Sequence, residues 1–156
     1  MTSSRDDEGC VFCGATSRPE QQRLVVCETD LAYVILNLYP YNSGHLMVVP
    51  RRHAGSLAAL AAAELSQVIQ LTQCVEIALT EIYRPQGLNV GINLGRPAGA
   101  GVLDHLHVHV VPRWDGDTNF MSVVGDTRVL PEDLGVSADR LRPVFERLMR
   151  DRPVAS

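Results

Sequence analysis

Apolar residues cluster in short extended blocks over the first third of the chain, recur every third or fourth position in the middle, and alternate with polar ones again near residue 105. Leu24 to Cys27 and Leu31 to Leu38, rich in Val, Ile, Leu and Tyr and separated by Glu28-Thr29-Asp30, predict a hairpin. The turn formers Tyr39-Pro40-Tyr41-Asn42-Ser43-Gly44 follow, and His45 to Pro50 reads as a third strand closed by proline. From Ala58 to Tyr83 the residues Leu65, Val68, Ile69, Val75, Leu79 and Ile82 keep helical spacing, which predicts one long amphipathic helix stopped by Pro85 and Gly87. Leu88 to Asn93 predicts a fourth strand, Gly95 to Gly101 a loop, and His105 to Val111 a fifth strand paired with the fourth. A last helix is expected from about Ala138 to Met149, with Ser137 as its cap. The order of elements points to an α+β fold: an antiparallel β-sheet of about five strands, one long helix and a C-terminal helix. Residues 9–151 form the expected single domain, with 1–8 and 152–156 as flexible tails.

The fifth strand carries the chemistry. In His105-Leu106-His107-Val108-His109-Val110-Val111 the imidazoles occupy every second position, so an extended backbone sends all three to one face and Leu106, Val108 and Val110 to the other. Imidazole is the side chain whose ordinary pKa lies nearest neutrality, so such a row can attack, donate and accept protons at cellular pH. Three of the chain's 5 histidines stand in this one run, too concentrated for packing alone.

Composition narrows the choices. A length of 156 residues suits one core, and 46% hydrophobic content without any apolar run of membrane-spanning length predicts a soluble protein. The polar, acidic start lacks the features of a secretory signal, so a cytoplasmic location is expected. All 14 basic residues are arginines, which excludes lysine Schiff-base chemistry and the lysine of a phosphate-binding P-loop. A net charge of −4 without a basic stripe argues against nucleic acid as a partner.

The histidine run matches, position for position, the signature of the histidine-triad (HIT) superfamily. Asn37 to Pro50 resembles the superfamily's earlier block, and Gly91-Ile92-Asn93-Leu94-Gly95 resembles the strand before the triad. Val111 to Met121 is similar to the branch holding diadenosine tetraphosphate phosphorylases and related dinucleoside polyphosphate hydrolases. The resemblance implies an enzyme acting on a nucleotide or dinucleoside polyphosphate through a covalent nucleotidyl-His107 intermediate. Either water or phosphate would accept the nucleotide. His107 is then the exposed, uncharged nucleophile, His109 the acid that protonates the leaving oxygen, and His45 its neighbour. Asn37 falls where relatives hold the ribose, Asn93 and Gly99 stand near the phosphate, and Trp114 would cover the substrate. Gly101 departs from the pattern: many relatives carry serine, threonine or glutamine there, contacting the leaving-group oxygen. That departure keeps open a second reading, a nucleotide-binding or partner-binding protein with vestigial catalysis. The resemblance also implies a homodimer, with the long helix and an edge strand at the contact.

The four cysteines divide. Cys27 and Cys74 sit in apolar runs and read as core. Cys10-Val11-Phe12-Cys13 places two thiols where they can chelate one ion. Zinc-containing members of the superfamily supply two further ligands from positions matching His53 and His105, which implies a structural zinc and removes His105 from turnover.

Overall fold

A computed structural model describes residues 9–102, 104–117 and 131–156. The expected tail 1–8 and the part of the branch-like stretch from Thr118 to Met121 lie outside these residues. A one-turn helix α1 (Pro19–Gln22) precedes β1 (Val25–Glu28), β2 (Ala32–Leu36) and β3 (Leu46–Pro50). Helix α2 (Ala62–Tyr83), β4 (Gly87–Ile92), β5 (Val108–Arg113) and helix α3 (Leu134–Asp151) complete the chain. The five strands form one sheet in the order β1-β2-β3-β5-β4, and every neighbouring pair is antiparallel. The fold is therefore the α+β arrangement expected, with both the β1/β2 hairpin and the β4/β5 pairing in place.

Helix α2 lies across β2, β3 and β5. Val68, Leu71, Val75, Ala78 and Leu79 are buried on its inner stripe, against Val34, Val48, Val108 and Val110 of the sheet. Ile69, expected on this stripe, is instead 65% exposed; at about 100° per residue it sits a quarter-turn or more from Val68 and off the contact. The helix begins at Ala62, not Ala58, because Leu57–Ala59 close a 3₁₀ turn and Leu60 is extended. Glu64 sets the start: its carboxylate accepts the Ala61 N–H at 2.7 Å and binds Arg52 through two oxygens at 2.8 and 2.7 Å. Arg84, in the left-handed conformation (φ 46°), ends it.

Helix α3 starts four residues earlier than expected, because Asp133 and not Ser137 is its cap: Oδ1 accepts the N–H groups of Gly135 and Val136. Ser137 is buried in the first turn and donates to Glu132. Residues 152–156, expected to be a loose tail, return to α2, where Val154 packs on the core and the Ala155 N–H donates to Gln70.

The sheet's second face holds the site. In β5, His109 stands opposite Met47 of β3 and Gly91 of β4. The regular strand starts only at Val108, so His105 and His107 precede it. Alternation persists nonetheless: Leu106, Val108 and Val110 are buried in the core, at 2%, 3% and 0% exposure. His45 likewise precedes β3 instead of opening it.

Candidate functional site

The run of histidines divides into two corners. At the first, His105 is fully buried and its Nε2 donates to the carbonyl of Pro50 at 2.7 Å, which leaves Nδ1 with a lone pair. That lone pair meets Cys10 Sγ at 3.4 Å and Cys13 Sγ at 3.5 Å, while His53 Nδ1 lies 3.2 Å from Cys13 Sγ. All four ligand atoms of Cys10, Cys13, His53 and His105 fall within 4.8 Å of one another. A tetrahedral ion bound at ordinary zinc–sulfur and zinc–nitrogen lengths separates S from N by roughly 3.6 Å, so the cluster is spaced to hold one metal ion. The Pro50 carbonyl supplies the outer hydrogen bond that orients a ligating histidine. The Arg52–Glu64 pair ties the residue before His53 to the start of α2.

At the second corner the hydrogen bonds dictate the tautomers. His107 Nδ1 donates to the His105 carbonyl at 3.0 Å, so its Nε2 carries the lone pair. The backbone N–H of Tyr41 donates to His45 Nδ1 at 3.0 Å, which leaves the His45 proton on Nε2. That nitrogen is 2.9 Å from His109 Nδ1 and donates to it, so the proton of neutral His109 sits on Nε2. Asn37 Nδ2 also lies 3.3 Å from His45 Nε2, but the same Asn37 accepts the Tyr39 N–H through Oδ1, and two N–H groups cannot bond each other. The outcome is one ring with a free lone pair, His107, beside one with a free N–H, His109; their centroids are 4.7 Å apart.

Burial favours the neutral form of all three rings. It pushes His45 down to about 4, with His109 and then His107 adding to the effect. Burial also lowers His109, with His107 as the second cause. His107 is lowered for the same reason, and the His105 carbonyl opposes the shift.

A cavity of about 610 Å³ opens over these rings, lined by His107 and His109 at one end and by Leu24, Ile35, Leu36 and Met47 along an apolar wall. That volume is in the range of small-molecule sites. His107, expected to be exposed, is in fact only 6% exposed; it forms part of the cavity lining, with Phe12 4.9 Å away between ring centroids. Asn37, Asn93, Gly99 and Gly101 line the same cavity. Asn93 donates to the Gly99 carbonyl at 3.4 Å, and Gly99 adopts φ +93°, a conformation that suits glycine. Gly101 has open space around the position of a Cβ. Trp114, past the end of β5, is half-buried and stands outside this lining.

The run itself leads one to expect that His107 gives its other ring nitrogen to a backbone carbonyl of its own strand, and the His105 carbonyl takes it. Sequence reasoning missed the other two backbone groups: the Tyr41 N–H and the Pro50 carbonyl fix the tautomers of His45 and His105, and any side chain could carry them. It also missed Val11 and Phe12, which lie within the Cys-x-x-Cys segment and line the cavity once the thiols meet His105.

Comparison with known proteins agrees with this geometry. The HIT domain family profile matches residues 18–116, a span that includes all five histidines. The AP-4-A phosphorylase of Mycobacterium tuberculosis is 47% identical over 113 residues, which are 72% of this chain and 58% of that protein. The asymmetrical bis(5′-nucleosyl)-tetraphosphatase of Schizosaccharomyces pombe is 32% identical over 93 residues, 60% of this chain and 50% of that protein. The chain thus spans little more than half the length of these relatives. Among solved structures, a zinc-bound histidine triad family protein from Mycobacterium smegmatis superposes with a TM-score of 0.74 at 28% identity, covering 94% of this chain and 99% of that one.

Proposed function

Because this chain belongs to the HIT domain family, we propose that it cleaves dinucleoside polyphosphates, or related nucleoside 5′-phosphoryl compounds, by transferring a nucleotidyl group to His107. One observation carries the reading: a neutral His107 with its lone pair on Nε2 stands beside a His109 whose proton is on Nε2. His107 Nε2 attacks the phosphorus next to the nucleoside, and the bond to the bridging oxygen breaks. The departing nucleoside polyphosphate leaves as an anion, and the His109 Nε2–H donates a hydrogen bond to its bridging oxygen as negative charge builds there. The second nucleophile then attacks the same phosphorus, the bond to His107 Nε2 breaks to restore the neutral ring, and the nucleophile's proton passes to solvent. Water releases a nucleoside monophosphate; inorganic phosphate releases a nucleoside diphosphate. The His45 N–H to His109 and the Tyr41 N–H behind it hold the donor in the required tautomer throughout. The apolar wall of the cavity takes the base, with Asn37 at the ribose and the backbone around Gly99 at the phosphate.

Cys10, Cys13, His53 and His105 would hold a structural zinc. A metal held by these four residues would serve structure and not turnover, pinning the segment that carries Phe12 against His105 and His107. Two cysteines at a metal corner and two in the core suit a reducing, cytoplasmic setting. Among the described residues no helix is long and apolar enough to cross a membrane. A homodimer through α2 and the edge strand β4 is supported by two large apolar side chains left exposed there, Ile69 at 65% and Val90 at 55%; a monomer across micromolar concentrations in ultracentrifugation would contradict it.

Incubation with labelled diadenosine tetraphosphate, with and without inorganic phosphate, tests the activity. Mononucleotide product without phosphate, or diphosphate product with it, is expected; tight binding with no turnover would favour the second reading. That reading draws on Gly101, which offers no side chain to the leaving-group oxygen.

A further inference from the structure

A second, smaller cleft of about 360 Å³ adjoins the first, across β4 and β5. Its lining includes Tyr41, Asn89, Gly91 and Arg113, and it shares His109 and Asn93 with the larger cavity. The two clefts therefore meet at the ring whose free N–H faces a leaving group. We propose that the second cleft binds the departing nucleoside of a dinucleoside polyphosphate, its base stacking beside Tyr41 and Arg113, an inference that rests on the proposed activity.

Three observations specify this occupant. Tyr41 is 53% exposed and lines the cleft, and the Arg113 guanidinium lies over its ring, 5.0 Å from the centroid. Arg113 is fixed in that plane: it binds both carboxylate oxygens of Asp117 at 2.7 and 2.8 Å and donates to Asn89 Oδ1 at 2.8 Å. With Asp117 cancelling its charge, Arg113 is a flat plate for a base and a poor clamp for a phosphate. Finally, Gly91 lines the smaller cleft opposite His109, and nothing lies within 4 Å of where its Cβ would stand. A polyphosphate chain can cross there at the level of the His109 ring. The turn Tyr39-Pro40-Tyr41 also lends one exposed tyrosine to each cleft, Tyr39 to the larger and Tyr41 to the smaller. Two adjoining cavities, each with an aromatic ring in its lining, match a ligand with two bases.

Equilibrium binding tests this in the full chain carrying His107→Asn, which retains substrates uncleaved. The probes are AMP, adenosine 5′-tetraphosphate and diadenosine tetraphosphate; the last two differ by the second nucleoside. Diadenosine tetraphosphate is expected to bind about tenfold more tightly than adenosine 5′-tetraphosphate, the fold-change one base–aromatic stack supplies. Adding Gly91→Leu, which fills the smaller cleft, or Tyr41→Ala, which removes the ring but retains the N–H to His45, should erase that advantage and leave AMP affinity within twofold. Equal affinities for the two tetraphosphates, or an advantage surviving both substitutions, would overturn the cleft assignment alone. Failure of the parent to bind AMP would overturn the nucleotide reading itself, and the cleft assignment with it. Should Gly91→Leu also lose AMP, the Tyr41→Ala result decides.

Discussion

His105 and His107 are two residues apart, of one type and on one alternating run, yet the structure turns them to two different corners. The difference lies in which nitrogen each spends on the backbone. His105 gives Nε2 to the Pro50 carbonyl and keeps Nδ1 for the cysteine corner. His107 gives Nδ1 to the His105 carbonyl and keeps Nε2 for the cavity. A histidine's role is thus set by its hydrogen-bonded nitrogen, and a row of identical side chains can hold a structural clasp and a nucleophile side by side.

The sharpest way to break this contrast is to remove the nucleophile. His107→Ala should lower turnover of diadenosine tetraphosphate on the order of 10⁴-fold or more while AMP affinity changes far less; steady-state kinetics beside calorimetric binding measures both. At the other corner the loss should be one of stability. Cys13→Ser, or removal of metal by a chelator, is expected to cost about 4 kcal/mol, the linkage contribution of a metal at a thousand times its Kd. For a domain of this size that lowers Tm on the order of 10 °C, read by calorimetry alongside elemental analysis for one zinc per chain. Loss of activity with unchanged Tm and no bound metal would reverse the two roles.

The third prediction sharpens the relay. His45 is held at about 4 in the folded chain, below the ordinary value near 6.5. Between those two pH values the unfolded chain binds the extra proton, so stability is full above about 6.5 and falls as pH drops toward 4, by about 3 kcal/mol from this ring. Denaturant unfolding of the wild type and of His45→Asn across pH 4–7 should show a shallower acid loss in the variant; identical slopes would mean that His45 is not held neutral by burial. The smallest expected effect is a gain. Gly101→Ser places a hydroxyl in open space on the cavity lining, and one added hydrogen bond to the leaving oxygen, about 1 kcal/mol, should raise kcat roughly fivefold.

The fold was legible wherever apolar periodicity was strong. All five strands, the sheet pairings at β1/β2 and β4/β5, and the long helix follow from patterns of two and of three to four. Boundaries failed where side-chain caps decide them. Ala58 to Ala63 favours helix by propensity, yet Glu64 reaching back to Ala61 sets the true start. Ser137 looks like a cap, but Asp133 precedes it and takes the two open N–H groups. The site was legible as a set of side chains, since chelation and general acid catalysis demand particular residue types. What the spacing did not encode is the backbone at Tyr41 and Pro50 that selects the tautomers of His45 and His105; the carbonyl that fixes His107 comes from its own strand, as an alternating run suggests. The second cleft was equally hidden, because Tyr41, Gly91 and Arg113 come together only through the β3-β5-β4 order of the sheet.

The most direct test of the central claim is to trap the intermediate. Diadenosine tetraphosphate mixed with the protein, acid-free quenched within a turnover and analysed by intact-protein and peptide mass spectrometry, should yield an adenylyl group on the peptide containing His107, attached through Nε2 and absent from His107→Ala. An adduct on His105 or His109, or wild-type turnover with no adduct under single-turnover conditions and full activity in His107→Ala, would contradict it.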